Sequence, residues 1–292
     1  MNTLTTMPRI LIEMSLARAM LLAAVTVTAL FMAMTAMGSP PSRILIAGDS
    51  TASDYPVERA PQAGWGQALP YFTADGVTVI NRAVSGRSTK SYIDEGKWDA
   101  LLEMVQAGDL VLISFGHNDS RDDAPERYAP ADGNYRDNMV RFARDIEALG
   151  ATPVILSPAA HRLWEGPAMV ETHGLYALNA GLAADEAGAA FIDLSNASLA
   201  YFESLGREPT KQDFLWLSPE NANARFPDGV EDNTHFTELG ACGVARVVAL
   251  ALSGLPDAQS RVSVEPTPGT GDADGRPVDV LECAASFPRP VP

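Results

Sequence analysis

Apolar residues gather in five short runs, at positions 43–47, 77–84, 110–115, 152–158 and 189–194. Each is rich in Val, Ile or Leu and shows little polar alternation. That pattern predicts strands buried on both faces, as in a parallel sheet. Helical spacing fills the gaps between them. Positions 98–106 predict a short helix. In 136–149, Met139, Phe142, Ile146 and Leu149 recur on one face, and Gly150 follows as a stop. The Ala-rich stretch 175–187 ends at Gly188. A last apolar helix is predicted over 239–252, with Thr237-Glu238 placed to cap its start. Strands alternating with helices make βαβ units, so the fold class is α/β: one three-layer domain over 42–255 around a mainly parallel sheet. After Pro256 the chain turns rich in Pro, Gly and Asp, including Pro266-Thr267-Pro268-Gly269, and 256–292 reads as a loop-like tail.

The N-terminus follows another pattern. Arg9 and Arg18 precede an apolar run over 19–37, then the small-x-small triplet Ala36-Met37-Gly38 and Ser39-Pro40-Pro41. This is the arrangement of a secretory signal peptide over 1–38, cleaved after Gly38. An uncleaved membrane anchor is the other reading. The expectation is an exported protein, periplasmic or extracellular, with no membrane association after cleavage.

Composition is ordinary for a globular chain of 292 residues, with 46% hydrophobic and 20% charged. The net charge of -16 works against nucleic-acid binding, which relies on clustered Lys and Arg. It also disfavours an anionic polymer as partner unless basic residues cluster locally. The two cysteines, Cys242 and Cys283, can form a bridge in an oxidising compartment or stay separate buried thiols. Nothing in the pattern sets an oligomeric state.

Candidate chemistry falls where a parallel sheet binds ligands, just beyond the carboxyl ends of its strands. The first strand runs into Gly48-Asp49-Ser50-Thr51, a turn leading toward a helix that exposes a serine. The second is followed by Ser85-Gly86-Arg87-Ser88, where Gly86 lets a backbone N–H approach a substrate. The third ends in Gly116-His117-Asn118-Asp119, and Asn118 can offer a side-chain N–H to an oxyanion. Asp232-Asn233-Thr234-His235 stands before the last helix, where His235 can move a proton and Asp232 can orient its ring. Taken singly each is an ordinary turn or cap. Together, in this order, they form the parts of a serine hydrolase. No residue spacing suggests zinc or calcium, so neither metal nor cofactor is expected.

These segments resemble the four blocks of the SGNH (GDSL-type) hydrolase superfamily. The resemblance is greatest to the rhamnogalacturonan acetylesterase branch, through Gly48-Asp49-Ser50-Thr51-Ala52, Gly64-Trp65-Gly66, Ser85-Gly86-Arg87-Ser88-Thr89, Phe226-Pro227-Asp228-Gly229 and Asp232-Asn233-Thr234-His235-Phe236. It implies a flavodoxin-like α/β/α fold with a five-stranded sheet and a Ser50, Asp232, His235 triad. It places the oxyanion hole on the N–H groups of Ser50 and Gly86 and on Asn118. The implied reaction removes O-acetyl groups from a plant-type polysaccharide such as rhamnogalacturonan. Trp65 and Tyr92 are candidates to line a sugar-binding cleft, with core or surface packing as the other reading for each. The chain departs from the family at Ala160-His161-Arg162, where adjacent basic residues are common, and in its tail. Rival readings are an acetylxylan esterase, a short-chain esterase or lipase, transfer of the acetyl group in place of hydrolysis, and a non-catalytic carbohydrate-binding protein.

Overall fold

In the computed structural model the five apolar runs all become strands of one sheet: β1 (Arg43–Gly48), β3 (Thr78–Asn81), β4 (Leu110–Ser114), β5 (Thr152–Leu156) and β8 (Ala190–Ile192). The structure describes residues 42–221, 225–266, 269 and 271–288. The leader expected over 1–38 lies outside them. Among the described residues no helix is long and apolar enough to cross a membrane.

All neighbouring pairs in the sheet are parallel, in the order β3-β1-β4-β5-β8. The second strand thus lies outside the first, and the third, fourth and fifth follow on the other side, which is the flavodoxin-like order. Successive side chains of a strand point to opposite faces, so each apolar run feeds two cores. Ile44, Ile46, Leu110, Leu112, Val154 and Leu156 face one way; Leu45, Ala47, Val111, Ile113 and Ile155 face the other. The first core is covered by α1 (Trp65–Ala68), α6 (Leu194–Leu205), α7 (Glu238–Ser253) and α8 (Val278–Ser286). The second is covered by α2 (Thr89–Asp94), α3 (Lys97–Leu102), α4 (Arg136–Ala148) and α5 (Leu175–Ala187). Helices on both faces give the three expected layers.

Most predicted helices form with their chemistry intact. Thr237 caps α7 by accepting from the Gly240 N–H at 3.4 Å. Met139, Phe142 and Ile146 of α4 are fully buried, but Leu149 is 42% exposed. It lies beyond the end of the helix, with φ -87° and ψ 2°, and so leaves the apolar face.

Two features depart from the sequence reading. A small antiparallel sheet joins β2 (Gln62–Ala63), β10 (Val230–Thr237) and β9 (Phe214–Leu217), and a two-stranded ribbon joins β6 (Trp164–Glu165) and β7 (Ala168–Met169). The stretch after Pro256 is not loop-like throughout. It carries α8, which is fastened to α7 by the Cys242–Cys283 disulfide. Arg276, just before α8, is fully buried and paired with Asp213 at 2.7 Å, with Asp272 and Asp274 closing around it. Pro and Gly density signals irregular backbone, but it does not report the disulfide and ion pairs that hold that backbone down.

Candidate active site

The strand order brings three predicted blocks together. β1 lies between β3 and β4, and Gly48 pairs with Ser114 at their ends. The turns bearing Ser50, Gly86 and Asn118 therefore emerge side by side at the switch point of the sheet, where such folds bind ligands.

The Ser50 turn is held by its neighbours. Asp49 Oδ1 accepts the Thr51 N–H at 2.9 Å and the Thr51 hydroxyl at 2.8 Å, and the Tyr55 hydroxyl donates to the Ser50 carbonyl at 2.8 Å. The turn leads on through a single 3-10 turn at Val57–Arg59. The first α-helix after it, α1, begins at Trp65, whose N–H donates to the Thr51 carbonyl at 2.8 Å.

The fourth block reaches the serine because β10 is irregular. Residues three apart on a regular strand face opposite ways. Between Glu231 and Phe236 the register with β9 shifts, and such a bulge re-aims side chains. Asp232 Oδ1 accepts the N–H groups of Thr234 at 2.8 Å and His235 at 3.0 Å, which folds the strand back on itself. Its Oδ2 then accepts from His235 Nδ1 at 2.7 Å, and His235 Nε2 stands 3.0 Å from Ser50 Oγ. Burial disfavours the Asp232 charge, but the bonds and charge of His235, with the Thr234 N–H, outweigh it and hold the carboxyl below its ordinary range. Asp232 is therefore an ionised acceptor that fixes Nδ1 as the donor, which leaves Nε2 facing Ser50 Oγ as an acceptor.

Donors for a negative oxygen stand opposite. Gly86 has φ 79°, a left-handed conformation that a side chain would strain. Among the described residues, neither the Ser50 nor the Gly86 N–H has a protein acceptor. One N–H of the Asn118 amide donates to the Arg87 carbonyl at 3.2 Å, which orients the group and leaves the other N–H free. Ser50, Gly86, Asn118 and His235 line one cleft of about 450 Å³. All five predicted triad and oxyanion residues are thus brought together.

Trp65 and Tyr92 are not. Their exposures are 0% and 1%, so neither lines a cleft. Trp65 lies between two glycines that abut the nucleophile turn: a Cβ at Gly64 would stand 2.3 Å from the Ser53 carbonyl oxygen, and one at Gly66 2.5 Å from that of Ala52. The Gly-Trp-Gly motif is therefore a packing element beneath Ser50. Tyr92 packs edge-on against Phe115 and donates its hydroxyl to the Arg82 carbonyl at 2.7 Å.

Sequence reasoning missed other cleft residues. Arg121 and Arg127 line it, giving local positive charge in an acidic chain, though each has an acidic neighbour, Asp123 and Glu126. His117 and His161 also face it. With His173 they form a cluster in which one ring nitrogen of each lies within 4.8 Å of the others. Both His117 and His173 direct Nε2 at the Ala159 carbonyl, at 3.0 and 2.8 Å. Those nitrogens act as hydrogen-bond donors there and present no lone pair to a cation. His161 Nδ1 pairs with the Thr172 hydroxyl at 2.8 Å. Only the position of His117 beside Asn118 was a usable signal, since the other two come together through the loops after β5.

Residues 46–241 match the model of the GDSL-like Lipase/Acylhydrolase family. Rhamnogalacturonan acetylesterase RhgT of Bacillus subtilis is 37% identical over 232 residues, covering 78% of this chain and 98% of its own. The probable rhamnogalacturonan acetylesterase YesY of the same organism is 32% identical over 221 residues, covering 75% and 97%. Among solved structures, Bacillus subtilis YxiM superposes with a TM-score of 0.63 at 25% identity, covering 75% of this chain and 58% of that one.

Proposed function

Because this chain belongs to the GDSL-like Lipase/Acylhydrolase family, we propose that it removes O-acetyl groups from a pectic polysaccharide of the rhamnogalacturonan type through an acetyl-Ser50 intermediate. The chain is an ester hydrolase of the acetylesterase kind, as its relatives are. One observation carries the mechanistic reading: the relay Asp232–His235–Ser50, closed at 2.7 and 3.0 Å, faces two unspent backbone N–H groups and an oriented amide.

Ser50 Oγ attacks the acetyl carbonyl carbon while its proton passes to His235 Nε2. The carbonyl oxygen becomes an anion, received by the N–H groups of Ser50 and Gly86 and by Asn118. The intermediate collapses, and the C–O bond to the sugar breaks. The departing sugar oxygen takes the proton from His235, leaving acetyl-Ser50. Water then attacks the acetyl group, giving its proton to His235, and acetate leaves as Ser50 recovers that proton. Asp232 stabilises the transient imidazolium without being protonated.

Two observations support a pectic polymer as substrate. The relatives named above are rhamnogalacturonan acetylesterases. Arg121 and Arg127, paired with the exposed Asp123 and Glu126, also line the cleft of a protein with net charge -16, where uronate carboxylates of such a polymer can compete for them. Export belongs to the same proposal, supported by the pattern over 1–38 and by a disulfide of the kind that persists in oxidising compartments.

Acetate release by purified protein from acetylated rhamnogalacturonan, acetylated xylan and p-nitrophenyl esters tests the reading, with Ser50→Ala alongside. Fastest release from rhamnogalacturonan, abolished in the variant, is the expected outcome. Faster release from xylan would reassign the substrate. Preference for long acyl chains would turn the enzyme into a lipase.

A further inference from the structure

The mechanism leaves one buried ionic pair unused. Asp49 is fully buried and the His117 side chain is 5% exposed, yet the carboxylate and the imidazole Nδ1 meet at 3.0 Å. Asp49 is the residue before the nucleophile, and His117 is the residue before the oxyanion donor Asn118. The contact therefore joins the turn after β1 to the turn after β4 at their functional tips.

Hydrogen bonds hold both members of the pair. Asp49 Oδ1 is already taken by the two donors of Thr51. Burial disfavours its charge, but the charge and bond of His117 and the Thr51 donors outweigh that and keep the carboxyl below its usual range. His117 thus faces the Asp49 carboxylate with Nδ1 and the Ala159 carbonyl with Nε2, at 3.0 Å each. Both partners only accept. His173 and His161 lie 4.6 and 5.0 Å from the His117 ring between centroids. Burial first, and repulsion from His117 second, push them down to about 2 and about 3.

A buried ion pair is a poor stabiliser, since apolar residues of similar volume often serve a fold as well or better. Its value here is geometric. We propose that Asp49–His117 is a positioning pair, bolting the Ser50 turn to the Asn118 turn, and both to the Ala159 loop after β5, so that nucleophile and oxyanion donor keep one separation through the tetrahedral step. This rests on the esterase reading above.

The test is the rate at which a p-nitrophenyl alkylphosphonate labels Ser50, because its phosphoryl oxygen occupies the oxyanion position. Wild type, His117→Gln, Asp49→Asn, Asn118→Ala and the His117→Gln/Asn118→Ala double variant are compared, with circular dichroism melts to establish folding. A misplacement of 1 Å costs on the order of 10²-fold. The expected result is labelling slowed about 10- to 100-fold in His117→Gln and in Asp49→Asn. On p-nitrophenyl acetate kcat falls in parallel while KM stays within about threefold. Because the effect runs through Asn118, adding His117→Gln to Asn118→Ala costs less than about threefold more. If His117→Gln does not fold, Asp49→Asn and its double variant with Asn118→Ala carry the same comparison. Wild-type labelling rates in the single variants, or costs that multiply in full in the double variant, overturn the proposal alone. A wild-type protein inert to both phosphonate and esters removes the esterase reading and this inference with it.

Discussion

His235 Nε2 stands 3.0 Å from Ser50 Oγ although 185 residues separate them in the chain. The contact is made because β10 pairs with β2, the short strand just before α1, and α1 in turn packs beneath the Ser50 turn. The histidine thus arrives on a sheet distinct from the one that presents the serine.

Ser50→Ala and His235→Ala are each expected to lower kcat on p-nitrophenyl acetate by about 10⁴–10⁶. Asp232→Asn leaves a shape-matched side chain but loses the fixed ring tautomer, and about 10⁴ in kcat at neutral pH is the expected cost. Steady-state kinetics on folded variants checks this; an Asp232→Asn enzyme within tenfold of wild type would show that another acceptor orients His235.

Asn118→Ala should cost about 10²–10³ in kcat with KM little changed, as for removal of one oxyanion donor. Gly86→Ala should act in the same sense for a different reason, since its φ of 79° moves a side chain into strained backbone and displaces the N–H. Equal losses in KM and none in kcat would place both residues in ground-state binding.

Trp65 is expected to matter for stability and not for sugar recognition, because it is wholly buried. Trp65→Ala should destabilise by about 3–5 kcal/mol, a fall of roughly 6–20 °C in Tm. Trp65→Phe should leave KM for acetylated polymer unchanged, and a tenfold rise in KM at unaltered Tm would contradict the packing role.

The tail should be part of the folded unit. The Cys242–Cys283 bridge closes a sequence separation of 41, which corresponds to about 4 kcal/mol in the chain-entropy description. Reduction, or Cys242→Ser with Cys283→Ser, should lower Tm by roughly 8–16 °C. Arg276→Met should also destabilise, by about 3–5 kcal/mol, because it strands the buried Asp213 carboxylate. Thermal melts that do not move in either variant would return the tail to a dispensable appendage.

Asp119 gives a pH dependence. It is fully buried, accepts the Thr89 N–H and hydroxyl through Oδ1, and has no partner at Oδ2 among the described residues. Burial first, and the Asp49 charge with it, push its carboxyl up to about 7 against the lowering effect of Thr89. The folded chain therefore keeps a proton that the unfolded chain releases from about pH 4 upward. Stability falls as pH rises from about 4 to 7 and then levels off. Asp119→Asn should melt at least about 2 °C higher than wild type at pH 8 and close to it at pH 4. A melting difference independent of pH would remove Asp119 as the titrating group.

The reading of 136–149 shows where local pattern stops. Met139, Phe142 and Ile146 are buried because helical periodicity alone aims them at the sheet. Leu149 fits the same spacing but lies past the last turn, where Gly150 takes a left-handed φ of 74° and ends the helix as its residue type predicts. Trp65 and Tyr92 show a second boundary: an aromatic residue beside a catalytic motif lines a cleft or packs behind it according to the backbone at its flanks, which the residue type does not report.

By itself the sequence determined the α/β class, the five apolar runs that become the parallel sheet, and the identity and order of the four blocks. Those are properties of local periodicity and of short turns at strand ends, written in consecutive residues. Only the tertiary structure decided that a bulged strand aims His235 at Ser50, that Cys242 meets Cys283, and that Asp49 and His117 pair behind the site. Each of these depends on chain segments distant in sequence meeting at hydrogen-bond distance, and that is set by packing two cores against both faces of one sheet.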